Sequence, residues 1–539
     1  MYPAIAVLGI CISLAGNAVA NEQITVLHTN DFERDSDGDG VADGWNRWNR
    51  SPGLGPTPTA EYRLETEGVN ADNRAQRCQV TVPEAGVILS LPARTSVDIF
   101  RTSIWIKVTS GHVIVQGFGQ HGGFGWHEMS TENAGEWTEI RKEYRLNRWR
   151  LDGGGVLAFS RNAGTNFLLD NFSGRKLESV QSTEPTELPD NLRSVVIGRE
   201  KKLINACGSS PTIAYARDHV EEIELAPFDG TTLKLDYGFE DQFWGANKVE
   251  QPIVDRAIDD LKSTQFQKFT ENFIWCNTVP GARRGTPGFH GDWFDDAIWN
   301  TICHNARMVA RVCKNGELKG IFFDTEHYHG RVFDYQAQHQ KDEKSYIEFA
   351  SKARERGRQF IQAMNAEYPE IVLLILMTGA FAADDMWHAP SLSIERCEYG
   401  LFPPFLDGMI DAAASRTRFI DGFARAYNFT RYNQFVQARK VMTRDAAKLS
   451  ASPQRYEAQI EVGFGVPLAW RSPREAEDAI HYALLAADQY VWIWSHGRDF
   501  KWQIGWADKE RVAVMQNCRL PRDSTERISV DDLPAYWQV

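Results

Sequence analysis

Lys319-Gly320-Ile321-Phe322-Phe323-Asp324-Thr325-Glu326-His327-Tyr328 is the stretch on which the reading of this sequence turns. A short apolar run, Ile321 to Phe323, follows a charged helical segment and ends abruptly in acid. A buried parallel strand reads this way when it surfaces at its C-terminal end. Side chains alternate along a strand, so Asp324 and Glu326 share a face and Thr325 points away. Two carboxyls at the mouth of a parallel barrel can hold different protonation states, as acid catalysis requires.

Around this stretch, from Val195 onward, strands and helices alternate. The expected strands are Leu203–Ala206, Thr232–Leu235, Phe269–Trp275, Gly320–Asp324, Ile371–Met377, Arg418–Asp421 (with Phe405–Ile410 competing for sixth place), Gln459–Val466 and Tyr490–Trp494. Ser210-Pro211 reads as a helix start with proline in the first turn, followed by Ile213, Ala216, Val220 and Ile223 on one face. Further helices are expected near Pro252–Leu261, from Asp295 to a stop at Asn315-Gly316, and over Glu343–Ala366. Ser472-Pro473-Arg474-Glu475 is a capping box. Eight units over about 300 residues fit a (β/α)8 TIM barrel.

Residues 22–175 carry a different pattern. Short alternating runs recur at Arg101–Val108, His112–Phe118, Trp137–Tyr144 and Val156–Phe159, with Gly-rich turns and no convincing helix, which is the pattern of an all-β sandwich. Residues 178–193 lose hydrophobicity and hold two prolines, so they read as a linker. Residues 1–20 form an apolar run ending in Ala18-Val19-Ala20, a signal-peptide pattern that implies secretion. The expected organisation is therefore 1–20 signal peptide, 21–177 sandwich, 178–193 linker, 194–525 barrel and 526–539 tail.

Near the start of the sandwich, Asp35-Ser36-Asp37-Gly38-Asp39-Gly40-Val41-Ala42-Asp43-Gly44 alternates aspartates with turn glycines. Asp35, Asp37, Asp39 and Asp43 make an oxygen cage suited to structural Ca²⁺. The net charge of -13 argues against nucleic acid and anionic membranes as partners, and no segment is long enough to span a membrane. Seven cysteines remain after signal cleavage, odd in number and scattered without a CxxC pair, so most are expected to be buried thiols.

Three places in the sandwich carry a resemblance: Asp31-Phe32-Glu33, Gly135-Glu136-Trp137 and Phe167-Leu168-Leu169-Asp170-Asn171-Phe172. On these the region resembles the jelly-roll carbohydrate-binding modules attached to bacterial polysaccharide-degrading enzymes. The resemblance implies calcium contacts from Glu33 and Asp170. Trp45, Trp48, Phe124 and Trp126 are candidate rings for stacking on sugar.

Barrel active sites lie at the C-terminal strand ends. Reading those ends gives Glu271, Asn272 and Trp275, then Asp324 and Glu326 with Tyr328. Asp384, Asp385 and Trp387 follow strand five, and Asp421 ends strand six. Trp470 follows strand seven, and Trp492, Trp494 and His496 belong to strand eight. An acidic mouth ringed with indoles suits sugar, because aromatic faces pack on pyranose rings while acids and amides bond the hydroxyls. No G-x-S-x-G elbow, H-E-x-x-H, phosphate loop or dinucleotide fingerprint competes with this reading.

Asp324-Thr325-Glu326 is similar to the tail of the chitinase-type, family-eighteen glycoside hydrolase motif. That resemblance implies Glu326 as the acid protonating the glycosidic oxygen and Asp324 as its positioning partner. The chain departs from the motif at Phe322 and Lys319, where that family has aspartates. The leading expectation is hydrolysis of a glycosidic bond in a polysaccharide or oligosaccharide, without a catalytic cofactor. Asp421, Asp384 and Asp385 compete for nucleophile or base. A carboxyl separation of about 5.5 Å would mean retention, and about 6.5–9.5 Å inversion. Two other expectations stay open: a non-catalytic carbohydrate-binding barrel, and a metal-assisted hydrolase or lyase using His327, His329 or His496.

Overall fold

The computed structural model describes residues 25–533, apart from 31, 50–59, 71–72, 92–96, 120–121, 131–134, 147–153, 181–187, 208–209, 236–242, 279–291, 328–330, 469–470, 496–499, 502–505 and 508. The signal-peptide reading of 1–20 lies outside them. No helix among the described residues is long and apolar enough to cross a membrane.

The described residues of the N-terminal part form eleven strands: β1 (Thr25–Asn30), β2 (Asn46–Asn49), β3 (Ala60–Glu65), β4 (Ala75–Val80), β5 (Ala85–Leu91), β6 (Val97–Ser110), β7 (His112–Gly119), β8 (Gly122–Ser130), β9 (Thr138–Leu146), β10 (Gly154–Ser160) and β11 (Asn166–Val180). They form two antiparallel sheets, one ordered β3-β4-β11-β6-β9 with β1 also on β11, the other β2-β5-β10-β7-β8. Alternate residues such as Ile104, Ile106 and Val108, or Val113 and Val115, are buried between the sheets, which is why the strands alternate in sequence. The last strand runs to Val180, past the expected boundary at 177. A short helix, α1 (Asp190–Arg193), lies inside the expected linker.

Trp45, a candidate sugar platform, belongs instead to this core: it is 5% exposed and packs between Phe32 and Phe172. Trp48 sits edge-on against Phe159 at 5.0 Å. Phe124 and Trp126 fall in β8, and their side chains lie outside what is described.

Among the described residues, the C-terminal part holds a small antiparallel pair (Phe500–Lys501 with Trp506–Ala507) and a parallel sheet of nine segments: β12 (Lys202–Ala206), β13 (Gly230–Leu233), β14 (Phe273–Asn277), β15 (Gly320–Asp324), β16 (Val372–Ile375), β17 (Arg418–Asp421), β18 (Ile460–Val462), β19 (Phe464–Pro467) and β20 (Tyr490–Trp494). Their order is β18-β17-β16-β15-β14-β13-β12-β20-β19. The two outermost segments are consecutive in the chain, separated by Gly463 alone. One strand thus pairs with β17 through its first half and with β20 through its second, so the sheet returns on itself and nine segments act as eight strands.

The first helices are α2 (Ile213–Asp218), α3 (Val220–Ile223), α4 (Gln251–Thr264), α5 (Asp296–Asn315) and α6 (Tyr346–Asn365). After them come α7 (Gly379–His388), α8 (Phe402–Ala412), α9 (Tyr432–Lys440), α10 (Pro453–Gln459), α11 (Pro473–Ala486) and α12 (Lys509–Asn517). The α2 cap is Thr212, whose hydroxyl accepts the Tyr215 N–H, rather than Ser210. Phe405–Ile410, the competitor for strand six, is part of α8. The α6 and α11 capping boxes form at Ser345/Glu348 and Ser472/Glu475. Phe323 faces outward into Trp244, Phe360 and the aromatic layer under α5, α6 and α8. Phe322 faces inward against Trp492 at 5.2 Å.

The two parts share apolar surface. Ala382 of α7, with Ala389, Leu392 and Cys397 after it, joins the sandwich core cluster. The His388 ring donates from Nδ1 to the Arg145 carbonyl of β9 (2.5 Å). The seven described cysteines form no disulfide with one another, and six of them are buried.

Trp492 fills the barrel centre against two glycines. A Cβ at Gly465 would lie 2.3 Å from its ring, and the Gly422 carbonyl accepts the indole N–H at 2.8 Å. Gly465→Ala should therefore destabilise the chain by about 1–3 kcal/mol through overpacking against a ring that cannot move. Denaturant unfolding checks this, and a wild-type midpoint would contradict the tight seat.

Candidate active site at the barrel mouth

The inward face of β15 builds the site layer by layer. Phe322 forms the floor with Trp492, Asp324 stands one pleat above it, and Glu326 follows at the rim. Asp324 is fully buried. Its Oδ2 accepts the Trp275 indole N–H from β14 (3.2 Å), and its Oδ1 accepts the Glu326 backbone N–H (3.1 Å). The buried acid thus fixes both the neighbouring ring and the turn that carries the second acid. Thr325, pointing the other way, bonds the Met377 carbonyl and N–H, tying the end of β15 to the chain after β16.

Three groups near this pair lie on other elements. Burial, together with the negative charges of Asp324 and Glu326, pushes the Cys207 thiol well up. Burial and those same charges also raise the Tyr427 and Tyr399 phenols, with Glu398 adding to the effect on Tyr399. Cys207 follows β12 in a left-handed conformation (φ 68). Tyr427, after β17, lies 6.3 Å from the Trp494 ring, and Lys234 Nζ sits 5.1 Å over Trp275. The mouth therefore offers Glu326, the Tyr427 phenol, two indoles and an ammonium, with Asp324 and Tyr399 buried behind them. That set suits a hydroxyl-rich ligand with flat apolar faces.

Beside the rim, the His327 ring stacks on Tyr399 (4.2 Å, 4°). Its Nε2 accepts the Phe333 N–H, and its Nδ1 lies 3.4 Å from Glu398 Oε1. Burial alone would raise the Glu398 carboxyl. The His327 hydrogen bond and the Arg331 guanidinium outweigh it and hold that carboxyl well below the usual range. The Nε2 atom of His327 is thus taken by the backbone, and Nδ1 is buried beside the Glu398 carboxylate.

The other sequence candidates divide by place. Glu271 and Asn272 precede β14 and stand at the opposite end of the barrel, because that strand begins at Phe273, four residues later than the sequence suggests. There Glu271 accepts the Tyr490 hydroxyl (2.6 Å) and faces Lys319 (3.6 Å), while Asn272 accepts the Thr231 N–H. Trp492 belongs to the floor rather than the rim. Trp387 lies under the Arg145 guanidinium of the sandwich. Asp384 and Asp385, on α7, are buried against Arg425, with Asp385 2.5 Å from it. Asp421 ends β17, and its two oxygens accept the Thr378 hydroxyl (2.5 Å) and the Phe423 N–H (3.1 Å). Tyr328, His329, Trp470 and His496 lie outside the described residues.

Sequence reasoning passed over Cys207, Lys234, Glu398, Tyr399 and Tyr427. Cys207 and Lys234 directly follow the ends of β12 and β13, and a strand-end reading with the right register reaches them. Glu398 and Tyr399 follow α7 in a long irregular segment, where no periodic signal points inward.

Three of the four sandwich aspartates fit a cation. Ligand oxygens of Asp35, Asp37 and Asp39 lie within 4.8 Å of one another. Asp43 instead takes the Ser36 N–H and hydroxyl. Glu33 and Asp170 accept the backbone N–H groups of Arg74 (2.8 Å) and Val69 (2.7 Å).

No family model matches this chain, and no curated protein matches it. Solved structures similar to it include a Podospora anserina GH26-CBM35 β-(1,4)-mannanase, at 10% identity over 95% of this chain and 99% of that one, TM-score 0.30. A Clostridium thermocellum endo-1,4-β-D-xylanase with CBM22-1 and GH10 modules, complexed with xylohexaose, matches at 10% identity over 87% and 91%, TM-score 0.27. The CBM22-1 xylan-binding domain of a Paenibacillus barcinonensis enzyme matches at 14% identity over 30% of this chain and 99% of that domain, TM-score 0.23. With every TM-score below 0.5, these likenesses assign no chemistry to the residues above.

Burial pushes Asp421 up to about 7 from an ordinary 3.8, against the lowering pull of its two hydrogen bonds. The folded state therefore holds this proton more tightly than the unfolded chain. The stability it contributes is full below about pH 4 and is lost as pH rises through 7. Burial, aided by the charge of Asp384, likewise raises Asp385 to about 7 despite Arg425. Asp421→Asn should flatten part of the fall in unfolding free energy between pH 4 and 8. A difference from wild type that does not change with pH would mean that Asp421 titrates normally.

Proposed function

We propose that this chain hydrolyses a glycosidic bond in a polysaccharide or oligosaccharide, with Glu326 as general acid and Asp324 as the group that positions it. The observation carrying this reading is the Asp324 carboxylate, buried at a strand end and bonded both to the Glu326 backbone and to an indole of the same mouth. A proton donor to a leaving oxygen must be held still beside a flat apolar surface on which the sugar can lie. Trp275, Trp494 and Tyr427 supply such surfaces. Asp421 is a weaker second carboxylate than its position suggests, since both its oxygens are spent on Thr378 and Phe423. Metal-assisted chemistry through His327 finds little support, because Nε2 is taken by the backbone and Nδ1 is buried beside the Glu398 carboxylate.

In the sandwich, Asp35, Asp37 and Asp39 would hold a structural Ca²⁺, with no part in the reaction. The charge such an ion neutralises lies in a turn-rich loop that otherwise gathers three carboxylates. The N-terminal module is read as an accessory to polysaccharide degradation, and the chain as secreted.

Glu326→Gln keeps volume and hydrogen-bonding shape but cannot transfer a proton. Turnover on a substrate with a poor leaving group should fall by at least about 10²-fold while binding is largely kept. Activity within a few-fold of wild type would rule out the assignment. A screen of the wild-type enzyme across a polysaccharide panel, followed by NMR of the first-formed anomer, identifies both substrate and stereochemistry.

Calcium at about a hundred times its dissociation constant should stabilise the folded sandwich by about 2.7 kcal/mol. The gain should vanish with a chelator and in Asp37→Asn/Asp39→Asn. An unchanged melting temperature together with no bound calcium in equilibrium dialysis would refute the site.

A further inference from the structure

The loop after β17 has two sides. Tyr427 faces the mouth near Trp494, while Thr430 and Arg431, three and four residues on, line a separate cavity of about 510 Å³ between α1, α9, α11 and the C-terminal segment. Arg193, Arg431, Arg474 and Arg522 line it together with Tyr482. We propose that this cavity binds the anionic substituent of an acidic saccharide, a uronate carboxylate or a sugar sulfate, and so serves as a distal subsite for the substrate. The proposal rests on the glycoside hydrolase reading and narrows its substrate class.

Charge is the first argument. Four guanidiniums line the cavity beside the carboxylates of Asp478 and Asp523, and all of them but Arg431 are paired with an acid. The acids beside them are already shared. Asp478 is held by Arg522 and by Arg474 (3.3 Å), Glu477 by Arg522 and Arg527, and Asp190 by Arg193 (3.3 Å). Asp523, also in the lining, accepts the Ser194 hydroxyl (2.5 Å). Arg431 has no ion-pair partner among the described residues, and it sits at the start of α9. A planar fork with no carboxylate of its own matches the two oxygens of a carboxylate or sulfate better than an ammonium would.

The second argument is shape. The Tyr482 ring meets Tyr432 edge-on at 6.1 Å, giving the cavity an aromatic flank, and Thr430 adds an exposed hydroxyl. Guanidinium, phenol ring and hydroxyl together recognise a charged sugar rather than a bare ion. Place is the third. Three residues of chain span at most about 10 Å, so the cavity lies within a few sugar units of the mouth.

The test uses the full chain carrying Glu326→Gln, so that the probe survives, with calorimetric titration of four ligands. These are tetragalacturonate, a sulfated tetrasaccharide, a neutral tetrasaccharide and sodium sulfate. At about 50 mM salt one or both acidic tetrasaccharides should bind at least about tenfold more tightly than the neutral one, and the advantage should shrink as salt screens it. Whichever acidic ligand binds names the substituent. Arg431→Ala should weaken that binding at least about threefold and Arg431→Glu further, with an unchanged melting temperature. In the otherwise wild-type enzyme, Arg431→Ala should leave turnover of a short neutral substrate unaltered. Arg431→Lys should recover less than half of the loss, because the fork and not the charge alone is used. Equal binding of acidic and neutral sugars overturns the proposal, and so does sodium sulfate binding as tightly as the acidic ligands. Folded Arg431 variants that bind normally overturn it too. Undiminished activity of Glu326→Gln would instead defeat the hydrolase reading and leave these binding results standing.

Discussion

Everything in the C-terminal part depends on one strand serving two neighbours. Ile460–Val462 pairs with β17 and Phe464–Pro467 pairs with β20, with Gly463 between them. A Cβ at Gly463 would lie 2.9 Å from the Tyr490 carbonyl and 3.1 Å from the Ile420 side chain, so the hand-over occurs where the backbones come closest. A parallel sheet left open there would expose two edges whose N–H and C=O groups need partners. Closure satisfies them and fixes a ring whose C-terminal strand ends all open on one side. Asp324, Trp275, Cys207, Trp494 and the loop bearing Tyr427 come together because of that closure, though they are scattered over almost 300 residues of sequence.

Inside the ring the problem is polar. A fully buried carboxylate is costly unless its oxygens are bonded. Asp324 meets that condition with an indole and a backbone N–H, and Asp421 meets it with a hydroxyl and a backbone N–H. The two differ in what their bonds hold. Asp324 orients groups that face the mouth. Asp421 joins the end of β17 to the cap of α7 through Thr378, an internal tie, and burial pushes its carboxyl up. A perturbed carboxyl in a barrel enzyme is therefore not by itself a catalytic one; the direction in which its partners lead separates the cases.

How much of this was legible depended on the strength of local signals. Gly320–Asp324, Arg418–Asp421 and Tyr490–Trp494 were readable to the residue, because each is a short apolar run bounded by charge or a turn. The third strand was not. Phe269–Trp275 looked like one run, but Phe269 belongs to the approach, and the Glu271 N–H bonds back to the Asp229 carbonyl before the strand begins. That slip of four residues moved Glu271 and Asn272 from the mouth to the base. Tryptophans misled for another reason. Their large apolar area suits sugar and core equally, and Trp45 and Trp492 went to cores. The sandwich loop was legible as acidic but not in its division: Asp35, Asp37 and Asp39 gather, while the Asp43 carboxylate accepts the Ser36 N–H and hydroxyl.

The sandwich and the barrel meet through α7, and this bears on the mouth. Helix α7 leaves β16 through the Thr378 cap, carries Asp384 and Asp385 inward to Arg425 on the loop after β17, and presents Ala382 to the sandwich core. Its last residue, His388, reaches the Arg145 carbonyl of β9. Two buried carboxylates on one guanidinium cost more desolvation than an apolar contact of the same size, so the arrangement is poorly explained by stability alone. What it does accomplish is register: the loops after β16 and β17 cannot slide past each other while the pair holds, and Tyr427 lies two residues from Arg425. A module fastened to α7 thereby stiffens one wall of the cleft from outside. Its contribution to the chemistry would be through the position of Tyr427 and Tyr399 rather than through any residue of its own.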